Sequence, residues 1–159
     1  MPPGSCKALS PNITVCLSGV GHQATKAAFQ KILEYPIDLV ISWGTAAGLT
    51  QDVRAGDLVI PKFVKTTEGT FQANPWFCQQ IASNIPIGMK KHHGTLSDTG
   101  TLLQSVDDKR ALNLASNCVT ADMESGAVAR LAEEHNLPFA VIRSVSDEVT
   151  TALPAAVLN

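Results

Sequence analysis

The sequence predicts an α/β protein with a single three-layer domain, in which a largely parallel, mixed and twisted sheet is flanked by helices. The first observation is that strand-like and helix-like runs alternate along the chain. The second is that the runs "IDLVISWG" and "PFAVIRSV" are mostly apolar, which is typical of strands buried on both faces. The third is that 45% of the 159 residues are hydrophobic and only 16% are charged, as in a chain with a large core. We expect one domain over residues 1–159.

The predicted elements follow one another with short connections. Strands are predicted at residues 12–19, 37–44, 57–64, 91–98, 117–122 and 138–147, and helices at residues 22–35, 74–83, 105–116 and 123–136. The first helix has apolar residues at helical spacing and ends before Pro36. Pro75 suits the first position of the second helix, and Ser105 or Asp107 suits the cap of the third. Pro61 interrupts the third strand.

Charge and hydropathy exclude several classes of protein. The formal net charge is −2, so nothing indicates the basic surface of a nucleic-acid-binding protein. The longest apolar runs are far shorter than a membrane span. The first residues, "MPPGSCKALS", lack the basic start and apolar centre of a signal peptide. We therefore expect a cytoplasmic protein without a membrane span.

The cysteines and histidines predict no metal site. The cysteines are scattered without a C-x-x-C motif, which predicts reduced thiols at Cys6, Cys16, Cys78 and Cys118. His92 and His93 are adjacent but have no acid or cysteine at ligand spacing, so a solvated or loop-lining pair is favoured. We expect neither a metal nor an organic cofactor.

The segment "GVGHQA" at residues 19–24 follows a predicted strand and opens a helix, as the dinucleotide fingerprint G-x-G-x-x-A does. That fingerprint also needs an acid at the end of the second strand to hold a ribose. Here the only acid of that strand, Asp38, lies at the opposite end, which disfavours a nicotinamide site. Two alternatives stay open. Gly19 and Gly21 form a tight turn that lets the helix pack closely, or they line a pocket at the edge of the sheet.

Polar groups are predicted at the ends of three strands. Strand 37–44 ends in "GTAAG", strand 117–122 in "DMES" and strand 138–147 in "SVSD". Open α/β sheets bind ligands at the carboxyl edge of their strands, so we expect these groups to converge there. Taken singly each motif indicates little, because an acid at a helix start complements the helix dipole and a strand-end Asp is often a cap.

Together the three segments resemble one family. "ISWGTAAGLTQDVRAGDLVIP" and "ADMESGAVARLAEEHNLPFAVIRSVSDEV" are similar to the two signatures of the nucleoside phosphorylase and nucleosidase family, which includes 5′-methylthioadenosine/S-adenosylhomocysteine nucleosidase. The "DMES" form, "DKRAL" upstream of it and "LP" after "SVSDEV" most resemble the hopanoid-associated phosphorylase branch. The resemblance implies cleavage of the N-glycosidic bond of a purine nucleoside, with adenine as the base. An adenosylated hopanoid is one candidate substrate.

The resemblance leaves the reaction partner open. Hydrolysis uses water, and phosphorolysis uses inorganic phosphate as a co-substrate. A catalytically impaired member of the family that still binds a nucleoside is the alternative.

By resemblance, Met123 and Glu124 bind the ribose. The dipole at a helix start favours an ionised carboxylate, and its two oxygens suit the vicinal 2′ and 3′ hydroxyls. The resemblance makes Asp147 the group that protonates or hydrogen-bonds purine N7, with Ser146 orienting it. We expect burial near another carboxylate to favour the protonated form of Asp147 that a general acid requires.

Other positions are assigned to the nucleophile and the base. By resemblance, Gly44 and Thr45 bind phosphate or the attacking water. Bacterial purine nucleoside phosphorylases of this family usually carry an Arg two residues before that glycine to grip phosphate, and Ser42 in its place favours hydrolysis. The residues assigned to the base are Leu102, which stands where an aromatic residue is usual, Val119 and Ala121.

Relative to that family, the chain is shorter at both ends. The family begins with a further strand that supplies a carboxylate to activate water, and Arg143 matches the arginine that pairs with it. Arg143 is therefore assigned to structural support and is expected to lack its partner. The family also continues past the point where "LPAAVLN" ends this chain. A missing central strand is expected to leave sheet edges that another chain could cover, which predicts a homo-oligomer. The resemblance implies the same, because members of the family form dimers and larger rings.

Overall fold

The computed structural model describes residues 1–153 and confirms the predicted fold class. This part of the chain forms a mixed eight-stranded sheet, a separate two-stranded hairpin and four α-helices. None of these helices is long and apolar enough to cross a membrane. The predicted single domain also extends over residues 154–159, which lie outside the described residues.

The elements are bounded as follows. The strands are β1 (Ser5–Ser10), β2 (Ile13–Leu17), β3 (Val40–Gly48), β4 (Leu58–Val59), β5 (Phe63–Lys65), β6 (Thr70–Gln72), β7 (Lys91–His92), β8 (Thr95–Asp98), β9 (Thr120–Asp122) and β10 (Phe139–Asp147). The helices are α1 (Gly21–Ile32), α2 (Pro75–Asn84), α3 (Val106–Ser116) and α4 (Ser125–Glu134).

The main sheet has the strand order β6-β5-β8-β9-β3-β10-β4-β7. The pairs β10–β3, β4–β7, β5–β8 and β8–β9 are parallel. The pairs β10–β4, β3–β9 and β5–β6 are antiparallel. The two longest strands, β3 and β10, lie side by side near the centre, with Phe139 opposite Val40 at one end and Asp147 opposite Ala47 at the other. This pair forms the platform of the site described below.

The main core involves helices α1 and α4, which pack on each other, and the central strands. Helix α4 is buried along most of its length, and Ala129 and Ala132 are fully buried. Such small side chains allow a helix backbone to approach its neighbours closely. Helix α1 contributes Phe29, and β10 contributes Phe139 and Val141. The two helices therefore start at fixed positions relative to the strand ends.

Three predicted strand boundaries are wrong. The second predicted strand begins at Val40 instead of residue 37 and continues to Gly48 instead of residue 44, so "GTAAG" forms the last five residues of β3. The third is divided into β4 and β5 around Pro61, which has no N–H to donate to a ladder. The fourth is divided into β7 and β8 at Gly94, whose φ of 133° is rarely adopted by other residues.

Two of the four cysteines form a disulfide, which contradicts the prediction of four reduced thiols. Cys6 on β1 and Cys16 on β2 lie directly opposite each other in the antiparallel register and are bonded. That opposition follows from the register of the hairpin, and β1 was not predicted from the sequence. Cys78 and Cys118 are free thiols, and both are buried.

We expect the protein to form a homo-oligomer in solution. Although β3 lies inside the sheet, Trp43 is 80% exposed and Ile41 is 48% exposed. Neighbouring large apolar side chains at a surface are typical of an interaction site. Light scattering at micromolar concentration should give at least twice the mass of one 16.8 kDa chain, and a monomeric mass would contradict this prediction.

Candidate active site

Three segments meet along residues 44–48 of β3. Strand β10 runs parallel to β3 and places Asp147 opposite Ala47. Strand β9 runs antiparallel to β3, with Ala121 opposite Ala47, so the chain after Ala121 continues back in the direction of Thr45. The predicted convergence is therefore present, but the expectation of one shared carboxyl edge is wrong for β9.

A buried ion pair joins the end of β9 to β10. Arg143 is 2% exposed, and its Nε and Nη2 lie 2.7 Å and 2.6 Å from Asp122 Oδ2. Its Nη2 also donates to the hydroxyls of Ser42 and Ser125, at 2.7 Å and 2.9 Å. The prediction that Arg143 lacks a partner is wrong, because Asp122 supplies the carboxylate. A surrounding of this kind suits the supporting role assigned to Arg143.

The amino terminus of α4 is capped by two strand-end aspartates. Asp122 Oδ1 accepts from the Ser125 N–H at 3.2 Å, and Asp98 Oδ2 accepts from the Gly126 N–H at 2.5 Å. Glu124 is the N-cap residue, but its side chain makes no capping hydrogen bond. Because the two aspartates satisfy these N–H groups, the Glu124 carboxylate is available for another partner.

The Glu124 carboxylate is directed at the start of α1. Its Oε1 accepts from the Gly21 N–H at 2.7 Å, which joins segments 103 residues apart. Gly19 and Gly21 have φ values of 88° and 84°, so "GVGHQA" forms the tight turn predicted as one alternative. The other alternative, that the two glycines line a pocket at the edge of the sheet, stays a prediction. The carboxylate lies at the amino termini of two helices, and both dipoles favour its negative charge.

Asp147 ends β10 and is held by two side chains. Ser146 Oγ donates to Asp147 Oδ1 at 2.6 Å, the contact that the predicted orienting role requires. The ammonium of Lys109 contacts Oδ2 and forms a buried ion pair. The expectation of a carboxylate neighbour is not met, because the ionisable side chain in contact with Asp147 is a cation.

The positions assigned to phosphate, water and ribose lie on or beside β3. The guanidinium of Arg143 packs against Gly44, where an added Cβ would lie 3.5 Å from Nη1. Thr45 is exposed, so its hydroxyl is accessible to a ligand. Met123 is half-buried in the turn before α4. The roles of Gly44, Thr45 and Met123 towards a ligand stay predictions.

The three residues assigned to the base have different surroundings. Val119 packs against a cluster of three valines from β4, β10 and the turn before β4. Ala121 is 4% exposed within a second apolar cluster. Leu102 is 40% exposed, and it alone of the three offers an open side chain to a ligand. Their contact with a base stays a prediction.

Asp98 is a second buried acid beside the start of α4. His22 Nε2 lies 2.5 Å from Asp98 Oδ1, with 45% of the His22 side chain exposed and 2% of the Asp98 side chain. Burial raises the pKa of the Asp98 carboxyl from its ordinary value, and the neighbouring Asp122 adds to this, while the Gly126 N–H and His22 lower it. His22 and Asp98 also line a cleft of about 170 Å³ near the starts of α1 and α4.

Gly126→Ala is expected to lower the free energy of unfolding by about 1–3 kcal/mol, the usual cost of overpacking. An added Cβ would lie 2.7 Å from the Asp98 carboxyl and 2.7 Å from Thr66 Cγ2, so the Asp98–Gly126 hydrogen bond must be distorted. Gly69→Ala is the matched control, because its Cβ would meet open space. Urea unfolding measures both variants, and equal stability would contradict the prediction.

The histidine pair has structural partners. His92 Nε2 lies 2.7 Å from Asp57 Oδ2, and the same oxygen accepts from the Arg54 N–H at 2.9 Å. His93 Nδ1 lies 3.0 Å from the Ile60 carbonyl oxygen. Asp57 thus fixes the turn that leads into β4.

Sequence reasoning missed Lys109 and His22. A signal for Lys109 was available, because it lies three residues after Val106 and three before Leu112, on the half-buried face of α3. A lysine between two apolar residues on that face is unusual, and this indicates that its side chain has a partner inside the protein. The His22–Asp98 contact joins residues 76 positions apart and has no local signal.

Comparison with known proteins identifies the family. The family model described as the phosphorylase superfamily matches residues 7–157. The chain belongs to the phosphorylase superfamily. Among its superfamily relatives, the chain is 28% identical over 164 residues to the 5′-methylthioadenosine/S-adenosylhomocysteine nucleosidase of Shewanella sp. (strain MR-7), covering 90% of this chain and 70% of the relative. It is also 28% identical, over 163 residues, to the enzyme of the same name from Shewanella pealeana, covering 89% and 71%.

Solved structures of the superfamily share the fold. The 5′-methylthioadenosine/S-adenosylhomocysteine nucleosidase of S. pneumoniae, solved with a transition-state inhibitor, superposes with a TM-score of 0.79 at 20% identity, over 86% of this chain and 68% of that one. The enzyme of the same name from Neisseria meningitidis also gives a TM-score of 0.79, at 22% identity and the same coverage. The superfamily is thus shown, while the hopanoid-associated branch stays a prediction.

Proposed function

We propose that the protein cleaves the N-glycosidic bond of an adenine nucleoside by hydrolysis. The observation that carries the proposal is that Glu124, two residues after β9, and Asp147, the last residue of β10, follow or end strands that flank β3 on its two sides. Glu124 lies at two helix termini, and Asp147 lies at a strand end beside a fixed cation. The names of the Shewanella relatives support the same class of substrate.

The two carboxyl groups have separate tasks in this reaction. Glu124 accepts hydrogen bonds from the 2′ and 3′ hydroxyls and fixes the ribose. Asp147 gives a proton to purine N7 as the bond between C1′ and N9 breaks, so the base leaves as a neutral molecule. The oxygen of water bonds to C1′, and the proton that it loses returns to Asp147 through solvent. The products are free adenine and the free sugar.

The surroundings of the cations favour water over phosphate. A guanidinium or ammonium group with unused donors is the side chain that holds a phosphate most strongly. Arg143 already donates to Asp122 and to two hydroxyls, one of them that of Ser42. Lys109 is likewise paired, with Asp147. Neither buried cation is free to grip a phosphate without breaking an ion pair, so we infer hydrolysis.

Adenine release tests the proposal. The protein is incubated with adenosine, methylthioadenosine, S-adenosylhomocysteine and an adenosylhopane mimic, each with and without phosphate. We expect adenine to be released without phosphate. Release that requires phosphate would replace hydrolysis by phosphorolysis. Binding of a nucleoside without release would support the alternative of a catalytically impaired binding protein. Relative rates across the four compounds identify the 5′ substituent.

Asp147→Asn is expected to lower turnover at least about a hundredfold, the usual scale for an acid–base group. An asparagine keeps the shape of the side chain but cannot give up a proton in the same way. Asp107→Asn is a matched control, because Asp107 is exposed in the first turn of α3. Steady-state kinetics on the best substrate measure both variants. Wild-type turnover in Asp147→Asn would exclude the proposed role.

A further inference from the structure

Lys109 is a buried lysine with all of its hydrogen-bonding capacity in use. It is 0% exposed. Its ammonium contacts Asp147 Oδ2, and donates to the carbonyl oxygens of Glu148 at 2.9 Å and Thr151 at 2.6 Å. A lysine ammonium has three donors, so these three acceptors satisfy it completely. No donor is left for a ligand, which means that Lys109 acts through the groups that it holds.

The position of Lys109 is costly for a group with no special task. Of the eleven residues of α3, all within the described part of the chain, Lys109 alone is buried. Removing an ammonium from water costs several kcal/mol unless it is paired and hydrogen-bonded. A methionine or leucine could fill the same helix position without that penalty. The positive charge of Lys109 is therefore the feature to explain, and the carboxyl group of Asp147 is the acidic side chain that it contacts.

The contacts of Lys109 also fix the chain after β10. Asp147, Glu148 and Thr151 belong to one short segment, and a single ammonium joins all three to α3. The Glu148 side chain points away, with Oε2 3.0 Å from Arg54 Nη1, so Glu148 offers Lys109 only its carbonyl oxygen. Oδ1 of Asp147 is bound by Ser146. A carboxylate has about four lone-pair sites, so the contacts with Lys109 and Ser146 leave sites on Asp147 free for a hydrogen bond with a purine base.

We propose that Lys109 is a positioning residue for Asp147 in glycosidic bond cleavage, an inference that rests on the proposed function. Lys109 holds the carboxyl group in one orientation and supplies a fixed positive charge beside it. When the proton moves from an Asp147 oxygen to purine N7, the carboxyl group becomes a carboxylate. A preorganised ammonium stabilises that new charge without having to reorganise. Its effect should therefore fall on the chemical step rather than on substrate binding.

Kinetics of four variants test the proposal. They are Lys109→Met, Asp147→Asn, the double variant and Arg110→Met, a control on the exposed side of the same helix. We expect Lys109→Met to lower kcat about 10–100-fold with KM nearly unchanged, the scale of losing a group that orients a functional side chain. In the double variant, Lys109→Met should lower kcat little further than Asp147→Asn does alone, because the two residues act as a unit. Arg110→Met should match the wild type.

Folding is checked separately, because Lys109→Met leaves the buried Asp147 carboxyl group without its partner. Lys109→Arg keeps a cation at this position and is expected to recover part of the lost kcat. A purely structural lysine would instead show falling kcat in proportion to the unfolded fraction, and additive losses in the double variant. Either result would overturn the proposal.

Adenine binding distinguishes failure of this inference from failure of the proposed function. Calorimetry with adenine needs no turnover. If the wild type binds adenine but cleaves no nucleoside, the proposed function fails, and the positioning role is then judged on binding alone. It stands if Lys109→Met weakens the binding of adenine, the product whose N7–H donates to the Asp147 carboxylate, only where Asp147 is intact. It falls if the weakening is the same in Asp147→Asn, or if the wild type binds no adenine.

Discussion

Arg143→Met should lower the free energy of unfolding by about 3–5 kcal/mol, the usual result of removing one partner of a buried ion pair. The methionine fills much of the same space, but it leaves the Asp122 carboxylate buried and without its cation. The Ser42 and Ser125 hydroxyls lose the same donor. Unfolding in urea, followed by circular dichroism, measures the change.

Arg130→Met is the matched control for this experiment. Arg130 also contacts a carboxylate, with Nη1 2.9 Å from both oxygens of Glu68, but its side chain is 37% exposed and that of Glu68 is 62% exposed. Exposed ion pairs contribute about 0–1 kcal/mol. If both variants lost the same free energy of unfolding, burial would not explain how much the Arg143–Asp122 pair contributes to stability.

Adding Asp122→Asn to Arg143→Met should restore part of the stability. The second change removes the unpaired charge, and the amide oxygen can still accept from the Ser125 N–H at the start of α4. A further loss instead of a gain would mean that the carboxylate is stabilised by other groups when Arg143 is absent.

The order of the elements could be predicted from the sequence because it depends on local patterns. The mostly apolar run of 138–147 and the amphipathic pattern of 123–136 each specify one element, and the structure places β10 and α4 there. The strand ends were less predictable. The run 57–64 is equally apolar on both sides of Pro61, and only the pairing of each half with a different neighbour shows two strands.

The residues of the candidate site were assigned from the sequence, whereas the contacts between them could not be. Glu124, Asp147 and Ser146 were assigned from motifs, since their segments are similar to a family signature. The pairing of Arg143 with Asp122 depends on β9 lying next to β3 in an antiparallel direction, and no spacing along the chain reveals that. The contact of Glu124 with Gly21 likewise depends on how α1 and α4 pack.

Both cations of the site hold an aspartate at a strand end. Ala47 of β3 is opposite Ala121 of β9 on one side and opposite Asp147 of β10 on the other. Asp122 directly follows Ala121, so the two aspartates come to neighbouring levels of β3 from its two sides.

Glu124→Gln is expected to lower kcat/KM for adenosine at least about a hundredfold. Two hydrogen bonds to an ionised acceptor contribute about 3 kcal/mol or more together, and each 1.4 kcal/mol is tenfold. The glutamine can still accept from the Gly21 N–H, so the turn at the start of α1 should stay in place. The loss should then come from the missing charge and from the acceptor replaced by an NH₂ group. Glu133→Gln, at an exposed position of the same helix, should leave kcat/KM unchanged.

Deoxynucleosides show whether that loss belongs to the ribose hydroxyls. If Glu124 binds both hydroxyls, the wild type should cleave 2′-deoxyadenosine and 3′-deoxyadenosine much more slowly than adenosine. In Glu124→Gln most of that discrimination should disappear, because the group that recognises the hydroxyls has already been weakened. Equal discrimination in the wild type and the variant would mean that another residue binds the diol. The Glu124 carboxylate would then serve only to join the starts of α1 and α4.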